Sequence, residues 1–280
     1  MNEENVVSRI APTPSGYLHL GNALNCMITW EFVRKHKGRL VLRIDDADAT
    51  RARKAFVEDI FRSLDWLGID WDIGPSGVDD FYAHYSQNRK KEKYFAVMEQ
   101  IERTYSCECS RKAIRQAFGD GVYGGSCRYR QIPFVRGRTA RRLIVDRPIE
   151  AYGAAVDLGP VMGDFVLWTR DDTPAYQLVS LVEDEEAAIT HIFRGMDLTS
   201  STVAQLYLAR ELGYSEFPRA RVFHHELLYG PDGKKLAKSR GATSIKDIRE
   251  SGKGRQYVDD ILRLYLERLD HDSGAAGTGG

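Results

Sequence analysis

Cysteine is scarce, four in 280 residues, which is too few for a secreted scaffold stapled by disulfides. Neither sign of charge prevails, since 40 Lys and Arg stand against 40 Asp and Glu. A chain without net charge cannot hold a polyanion by its overall field, so any nucleic-acid partner must be met by a local basic face. No apolar run approaches the roughly 18 residues that would span a bilayer. The opening residues, MNEENVVSRIAPTP, lack a basic segment followed by an apolar stretch. Neither a membrane span nor a secretory leader is expected, and the reading is cytoplasmic. An apolar share of 42 % beside 29 % charged residues excludes wholesale disorder. This length suits one large domain or one domain with a substantial insertion.

The order of elements points to an α/β fold. Residues 6–11 (VVSRIA) read as a strand, PTPSG as a turn, Asn22 to Lys37 as a helix ended by Gly38, and RLVLRI at 39–44 as a second strand. Strand, loop, helix, strand is the pattern of a parallel sheet with ligands at its strand ends. Helices are expected over 52–67 and 86–103, joined by the turn-rich WLGIDWDIGP. From 105 to 170 the character changes to glycine-rich sequence with short alternating segments, RRLIVD and GDFVLW, that read as antiparallel β structure inserted into the sheet domain. The α/β character returns with THIFRG as a strand and Ser201 to Leu212 as a helix opened by a Ser/Thr cap. Cys26, among Ala23, Leu24, Met27 and Trp30, fits a buried helix face.

The first chemical constellation is Arg9-Ile-Ala-Pro12-Thr-Pro14-Ser15-Gly16-Tyr-Leu-His19-Leu-Gly21-Asn22. Prolines and glycines shape a strand-to-helix loop that lets phosphates approach the helix amides. His19 can donate to a triphosphate, and Gly21 keeps a side chain off the nucleotide. An ordinary tight turn with a surface histidine is the competing reading. The second constellation is Asp232-Gly-Lys234-Lys235-Leu-Ala-Lys238-Ser239-Arg240, a loop with four cations. When a carboxylate attacks the α-phosphorus of ATP, charge grows on the phosphoryl oxygens and on departing pyrophosphate, and placed lysines stabilise it. Lys238 is assigned that role with Lys235 assisting. A solvated charge run is the alternative.

Three of the cysteines cluster in Cys107-Glu-Cys109 and Tyr123-Gly-Gly-Ser-Cys127. Three thiolates and one further oxygen or nitrogen donor could complete a four-coordinate structural zinc site in this core-poor insertion. Spacing alone leaves zinc and reduced, unliganded thiols both open.

The two loops resemble the first and second signatures of the glutamyl-tRNA synthetase family of class I synthetases, with Asn22 where the general form has His. The resemblance implies a Rossmann-like parallel sheet domain using ATP with Mg²⁺, the ATP site comprising Pro12, Gly16, His19, Gly21, Asn22 and Lys238. It implies a glutamate pocket in which Arg9 pairs with the substrate side-chain carboxylate, Tyr176 supports the side chain, and Arg194 holds the α-carboxylate. Thr13 and Ser15 would line the entrance, and Asp45 would accept from the ammonium group. Glutamate-type members carry Glu at the position of Asp45, which keeps glutamine or a small amine open as substrate; loop capping or Mg²⁺ contact is the bland reading of Asp45 and Asp46.

Cys-x-Cys followed by Tyr-x₃-Cys resembles the zinc pattern of glutamyl-queuosine tRNA(Asp) synthetases, shortened relatives in that family. That likeness implies Zn²⁺ on Cys107, Cys109, Tyr123 and Cys127. Only about 40 residues follow the lysine loop, fewer than the roughly 50 of a small independent domain, so no anticodon-binding domain is expected. The expected organisation is a catalytic domain over 1–104 and 171–225, an insertion over 105–170, the lysine loop and a helical region over 226–270, and a flexible tail over 271–280. The implied reaction is ATP-dependent formation of glutamyl-adenylate and transfer to queuosine in tRNA(Asp), by a monomer. Charging of a tRNA 3′ end and a non-catalytic regulator that binds amino acid and ATP remain the alternatives.

Overall fold

A computed structural model describes residues 5–119, 122–226 and 244–275, the last ten by backbone alone. Lys235 and Lys238 lie outside the described residues. Strand β1 (Val7–Ile10) leads through helix α1 (Leu20–Lys35) to β2 (Arg39–Leu42), followed by helices α2 (Lys54–Trp66) and α3 (Lys91–Glu99). Next come β3 (Thr104–Cys107), helix α4 (Arg111–Phe118), β4 (Ala140–Leu143), the hairpin of β5 (Ile149–Ala151) and β6 (Ala154–Val156), and β7 (Val166–Trp168). Helix α5 (Tyr176–Glu186), β8 (His191–Gly195), helix α6 (Thr199–Leu212), β9 (Arg221–His225), and helices α7 (Ile245–Glu250) and α8 (Gln256–Ala275) complete the order.

One four-stranded sheet, ordered β2-β1-β8-β9, is parallel at every pairing. All four residues of β1 are buried, as expected of a strand covered on both faces. Leu40 and Leu42 enter the core beneath α1 and α2, while Val41 packs into the second core under α5 and α6. The connections leave β1 toward β2 on one side and return to β8 on the other. The carboxyl ends of β1 and β8 therefore flank a topological switch point, where such sheets hold ligands. The remaining strands form a separate antiparallel sheet, β3-β4-β7, and the small hairpin.

Several local expectations are corrected. The helix expected over 86–103 is confined to Lys91–Glu99, because residues 87–90 form a tighter 3₁₀ turn anchored on Asp46. Helix α6 begins at Thr199 behind Leu198, and no side chain caps it; Thr199 instead donates to the Met196 carbonyl. Gly38 follows α1, but the left-handed residue there is Lys37, at φ 52°. Gly38 is required by proximity, since a Cβ would lie 2.6 Å from the Val6 carbonyl oxygen. Cys26 is buried and its thiol is pushed up to about 12 by burial, so it acts as a small hydrophobe. Among the described residues no helix is long and apolar enough to cross a membrane.

Asp172 ties the insertion to the main body. It accepts from Arg136 (2.8 Å), Lys91 (2.7 Å) and the indole N–H of fully buried Trp168 (2.9 Å). Hydrogen bonds from Arg136, then Lys91 and Trp168, hold its carboxyl well below the usual range. Asp172→Asn is expected to lower the melting temperature by about 3–8 °C at neutral pH. Because the folded-state value is depressed, the stabilisation is present above the unfolded value near 4 and is lost as pH falls below it. Melts of both proteins from pH 7 to pH 3 check this, and a gap that does not narrow on acidification would refute it.

Candidate active site

The loop from β1 into α1 ends at His19, whose backbone is extended (φ −85°, ψ 160°) and whose Nδ1 accepts from the Asn22 amide at 3.3 Å. With Nδ1 accepting, the neutral ring carries its proton on Nε2. The first turn of α1 holds no acidic residue, so its amides and partial positive charge favour an anion. Pro12 is buried and its carbonyl accepts from Asp45 at 3.0 Å, while Gly16 lies in the bend over 14–17. Gly21 and Asn22 stand in the first turn of α1.

The described flanks of the lysine signature both meet this helix. On one side His225 Nε2 lies 2.9 Å from Asn25 Oδ1 of α1, and Tyr265 donates to the Glu226 carbonyl at 2.6 Å. On the other, Ser244 bridges to His19 and the Ile245 amide donates to the Leu18 carbonyl at 2.7 Å. Ser244 and Asp247 then form a capping box that starts α7. The described residues on either side of the second signature, His225 and Ser244, thus both reach α1 or the loop that leads into it.

At the strand ends, three arginines converge. Arg9 comes from β1, Arg43 follows β2, and Arg194 stands in β8; each is buried. Arg43 donates Nε to Asp45 Oδ1 (2.6 Å) and Nη2 to Asp45 Oδ2 (3.1 Å), a bidentate pair. Asp184, on α5, receives Arg9 Nε at 3.0 Å and Arg43 Nη1 at 2.6 Å on the same oxygen. Arg194 gives Nη1 to Thr202 (2.9 Å) and Gln205 (2.6 Å), and its Nη2 lies 3.5 Å from Asp184 Oδ2. Arg194 Nε, Arg194 Nη2 and Asp184 Oδ2 make no hydrogen bond although buried. Burial would raise the Asp184 carboxyl, but Arg9, Arg43 and Arg194 hold it below its ordinary value. Burial, then the like charges of Arg9 and Arg43, push Arg194 down.

Asp45 is pushed up by burial and by Asp184, against the pull of Arg43. It also accepts from Gln87 Nε2 at 2.9 Å. Asp46 accepts from the Ser86 hydroxyl (2.6 Å) and the Gln87 amide (2.7 Å), which is the loop-capping role. Both carboxylates are committed to protein partners.

A cleft of about 460 Å³ opens beside this cluster. Thr13, Ser15, Asp45, Tyr176, Ser180 and Arg111 are among the residues that line it. Tyr176 is the first residue of α5, lines the cleft and is 39 % exposed.

In the insertion, the sulfurs of Cys107, Cys109 and Cys127 all lie within 4.8 Å of one another, and Cys109 and Cys127 are 3.5 Å apart. A tetrahedral zinc with bonds of about 2.3 Å separates its sulfurs by roughly 3.8 Å, so the trio fits that ion. The Tyr123 hydroxyl lies 3.5 Å from Cys107 Sγ and accepts the Cys127 amide at 2.9 Å, which sets one oxygen beside the three sulfurs. Burial, then hydrogen bonding to Cys107, pushes the Tyr123 phenol up. Burial and its thiol neighbours raise Cys109 to about 11; at Cys127 burial is outweighed by bonds from Tyr123 and Glu108, which lower it to about 7.

Asp184, Thr202, Gln205, Gln87 and Arg111 did not stand out in the sequence. Asp184 left a signal: Tyr176, Ser180 and Asp184 recur every fourth residue, a single stripe on α5. A charged residue three after buried Leu181 belongs to the buried side of that helix.

The chain matches the family described as tRNA synthetases class I (E and Q), catalytic domain, over residues 5–130 and 151–269. It is 38 % identical to glutamyl-Q tRNA(Asp) synthetase of Symbiobacterium thermophilum, over 93 % of this chain and 86 % of that protein. It is 31 % identical to glutamate–tRNA ligase 2 of Acidithiobacillus ferrooxidans, over 98 % of this chain but only 60 % of the ligase. The crystal structure of a glutamate–tRNA synthetase from Elizabethkingia anophelis superposes with a TM-score of 0.69 at 25 % identity, over 89 % of this chain and 54 % of that one.

Proposed function

The chain belongs to the class I tRNA synthetases of the glutamate and glutamine type, and from that premise we propose that it activates L-glutamate with ATP and passes the acyl group to queuosine of tRNA(Asp). The observation that carries the glutamate reading is the buried arginine cluster. Three guanidiniums face two carboxylates, and Arg194 keeps two nitrogens without a hydrogen bond. A zwitterionic amino acid with one additional carboxylate supplies the missing negative charge.

In this reading the side-chain carboxylate of glutamate meets Arg9, the α-carboxylate meets Arg194, and Tyr176 closes over the aliphatic part. Asp45 faces the ammonium group. An α-carboxylate oxygen attacks the α-phosphorus, the bond to the bridging oxygen breaks, and pyrophosphate leaves. His19 and the amides of α1 meet the triphosphate, and Lys238, assisted by Lys235, takes the growing charge. Mg²⁺ would travel on the triphosphate, its ordinary carrier, since Asp45 and Asp46 are occupied. In the second step a hydroxyl of the cyclopentenediol of queuosine attacks the acyl carbon and AMP departs. No side chain becomes acylated; catalysis rests on positioning and electrostatics.

The queuosine acceptor is supported by the relative matched along 86 % of its length. An RNA partner is supported by the insertion, where residues 107–142 carry nine Lys and Arg against two Asp and Glu in a chain of zero net charge. On α4, exposed Arg111, Lys112 and Arg115 form no ion pair among the described residues, and Arg111 reaches the cleft. Such cations suit phosphates.

The test is incubation with ATP, labelled glutamate and tRNA from queuosine-containing or queuosine-deficient cells. Label is expected on the queuosine-containing tRNA alone, in the nuclease fragment that holds the anticodon. Label on the terminal adenosine from either source would replace this acceptor with the tRNA 3′ end.

A further inference from the structure

Helix α5 carries a carboxylate for which the scheme above has no use. Asp184 is wholly buried, and it lies within ion-pair distance of all three arginines, Arg9 of β1, Arg43 just after β2 and Arg194 of β8. Its Oδ1 receives Arg9 at 3.0 Å and Arg43 at 2.6 Å, and its Oδ2 faces Arg194 at 3.5 Å without a hydrogen bond.

We propose that Asp184 is the positioning residue for glutamate specificity, a fixed anionic hub that aims Arg9 and Arg194 at the two carboxylates of the substrate. The inference rests on the glutamate reading given above and adds to it a residue that never touches the amino acid. Buried guanidiniums repel one another and lose hydration, so three of them stay in register only around a shared acceptor. Asp184 supplies that acceptor from a rigid helix, whose preceding turns place Ser180 on Arg43 (3.1 Å) and Tyr176 at the cleft. With Asp45 matched to Arg43, the hub leaves one surplus positive charge in the cluster. Glutamate neutralises that surplus and glutamine does not, which makes the hub a determinant of selectivity as well as of geometry. The vacant hydrogen-bonding capacity of Oδ2 also separates Asp184 from a purely structural carboxylate, whose oxygens are ordinarily saturated.

The experiment is glutamate-dependent pyrophosphate exchange by the unaltered chain, Asp184→Asn, Arg9→Ala, and the double variant. Asp184→Asn is expected to raise the KM for glutamate about 30-fold, the loss of a charge-assisted hydrogen bond, with the KM for ATP within about twofold. Discrimination between glutamate and glutamine should fall about tenfold or more. In the Arg9→Ala background the same change should add little, because Asp184 acts through that arginine. Additive effects, or an unchanged KM and selectivity, would overturn the proposal. If Asp184→Asn does not fold, Asp184→Glu retains the charge but displaces it; a raised glutamate KM supports the hub and an unchanged one removes it. Absence of glutamate-dependent exchange by the unaltered chain would instead remove the underlying glutamate reading.

Discussion

Arg194→Ala is expected to lower kcat/KM for glutamate about a thousandfold while changing the KM for ATP little. Arg194 is 2 % exposed and lies among Thr202, Gln205 and Asp184, with two donors that make no hydrogen bond. A donor set held in this way has already lost its water, so a carboxylate that arrives gains nearly the full strength of the contact. Removing one partner of a buried, hydrogen-bonded charge pair costs about 2–5 kcal/mol, and about 4 kcal/mol corresponds to a thousandfold change. The Ala variant leaves the α1 terminus and the lysine segment untouched, which is why ATP binding should survive. Pyrophosphate exchange measured against glutamate and against ATP separately gives both constants. A change confined to the ATP term would exclude Arg194 from the amino-acid pocket.

The second large effect is expected on stability, on removal of zinc. The insertion has a small core of its own, formed by Tyr105, Cys107, Tyr123, Cys127 and Ala140. Two of its chain segments, 107–109 and 123–127, meet at the thiols, so a metal there would replace much of the hydrophobic burial that the insertion lacks. Structural zinc in small domains contributes roughly 10–16 kcal/mol at neutral pH. Strong chelation, or Cys127→Ser, should therefore lower the melting temperature by at least about 10 °C and expose the amides of β3 and β4 to exchange. Metal analysis should give about one zinc per chain purified without an affinity metal. Zinc requires thiolates, and Cys109 is raised to about 11 while Cys127 lies at about 7. Metal binding must then release a proton from Cys109 throughout the neutral range, and apparent affinity should weaken further as pH falls through 7 and Cys127 becomes protonated as well. A metal-free protein whose melt ignores the chelator would identify the cysteines as reduced free thiols.

The parallel unit was legible because its signals are local: alternating strand and helix patterns around Arg9 to Leu42, with a Pro/Gly loop between. The helix edges were less so. Asp46 pulls residues 86–88 into an anchored turn, a contact across 40 positions that no window of sequence reveals. The same limit applied to the site. His19, Tyr176 and Arg194 stood out through short motifs, and Arg9, Arg43 and Arg194 meet only because three parallel strands end together. Asp45 was read as facing substrate, whereas the fold also fastens it to Arg43 two residues away. Gln205 and Thr202 could not be assigned from sequence, because each looks like an ordinary polar residue of α6 until β8 lies beneath it.

The unpaired cations of α4 have a kinetic meaning that a net charge of zero conceals. A neutral protein with an excess of positive charge in one segment is a dipole, and the rest of the chain carries the compensating negative excess. A polyanion approaching from a distance exerts almost no net force on such a body but does exert a torque. The molecule turns its cleft toward the strand before the surfaces touch, and rising salt shortens the distance over which that rotation begins.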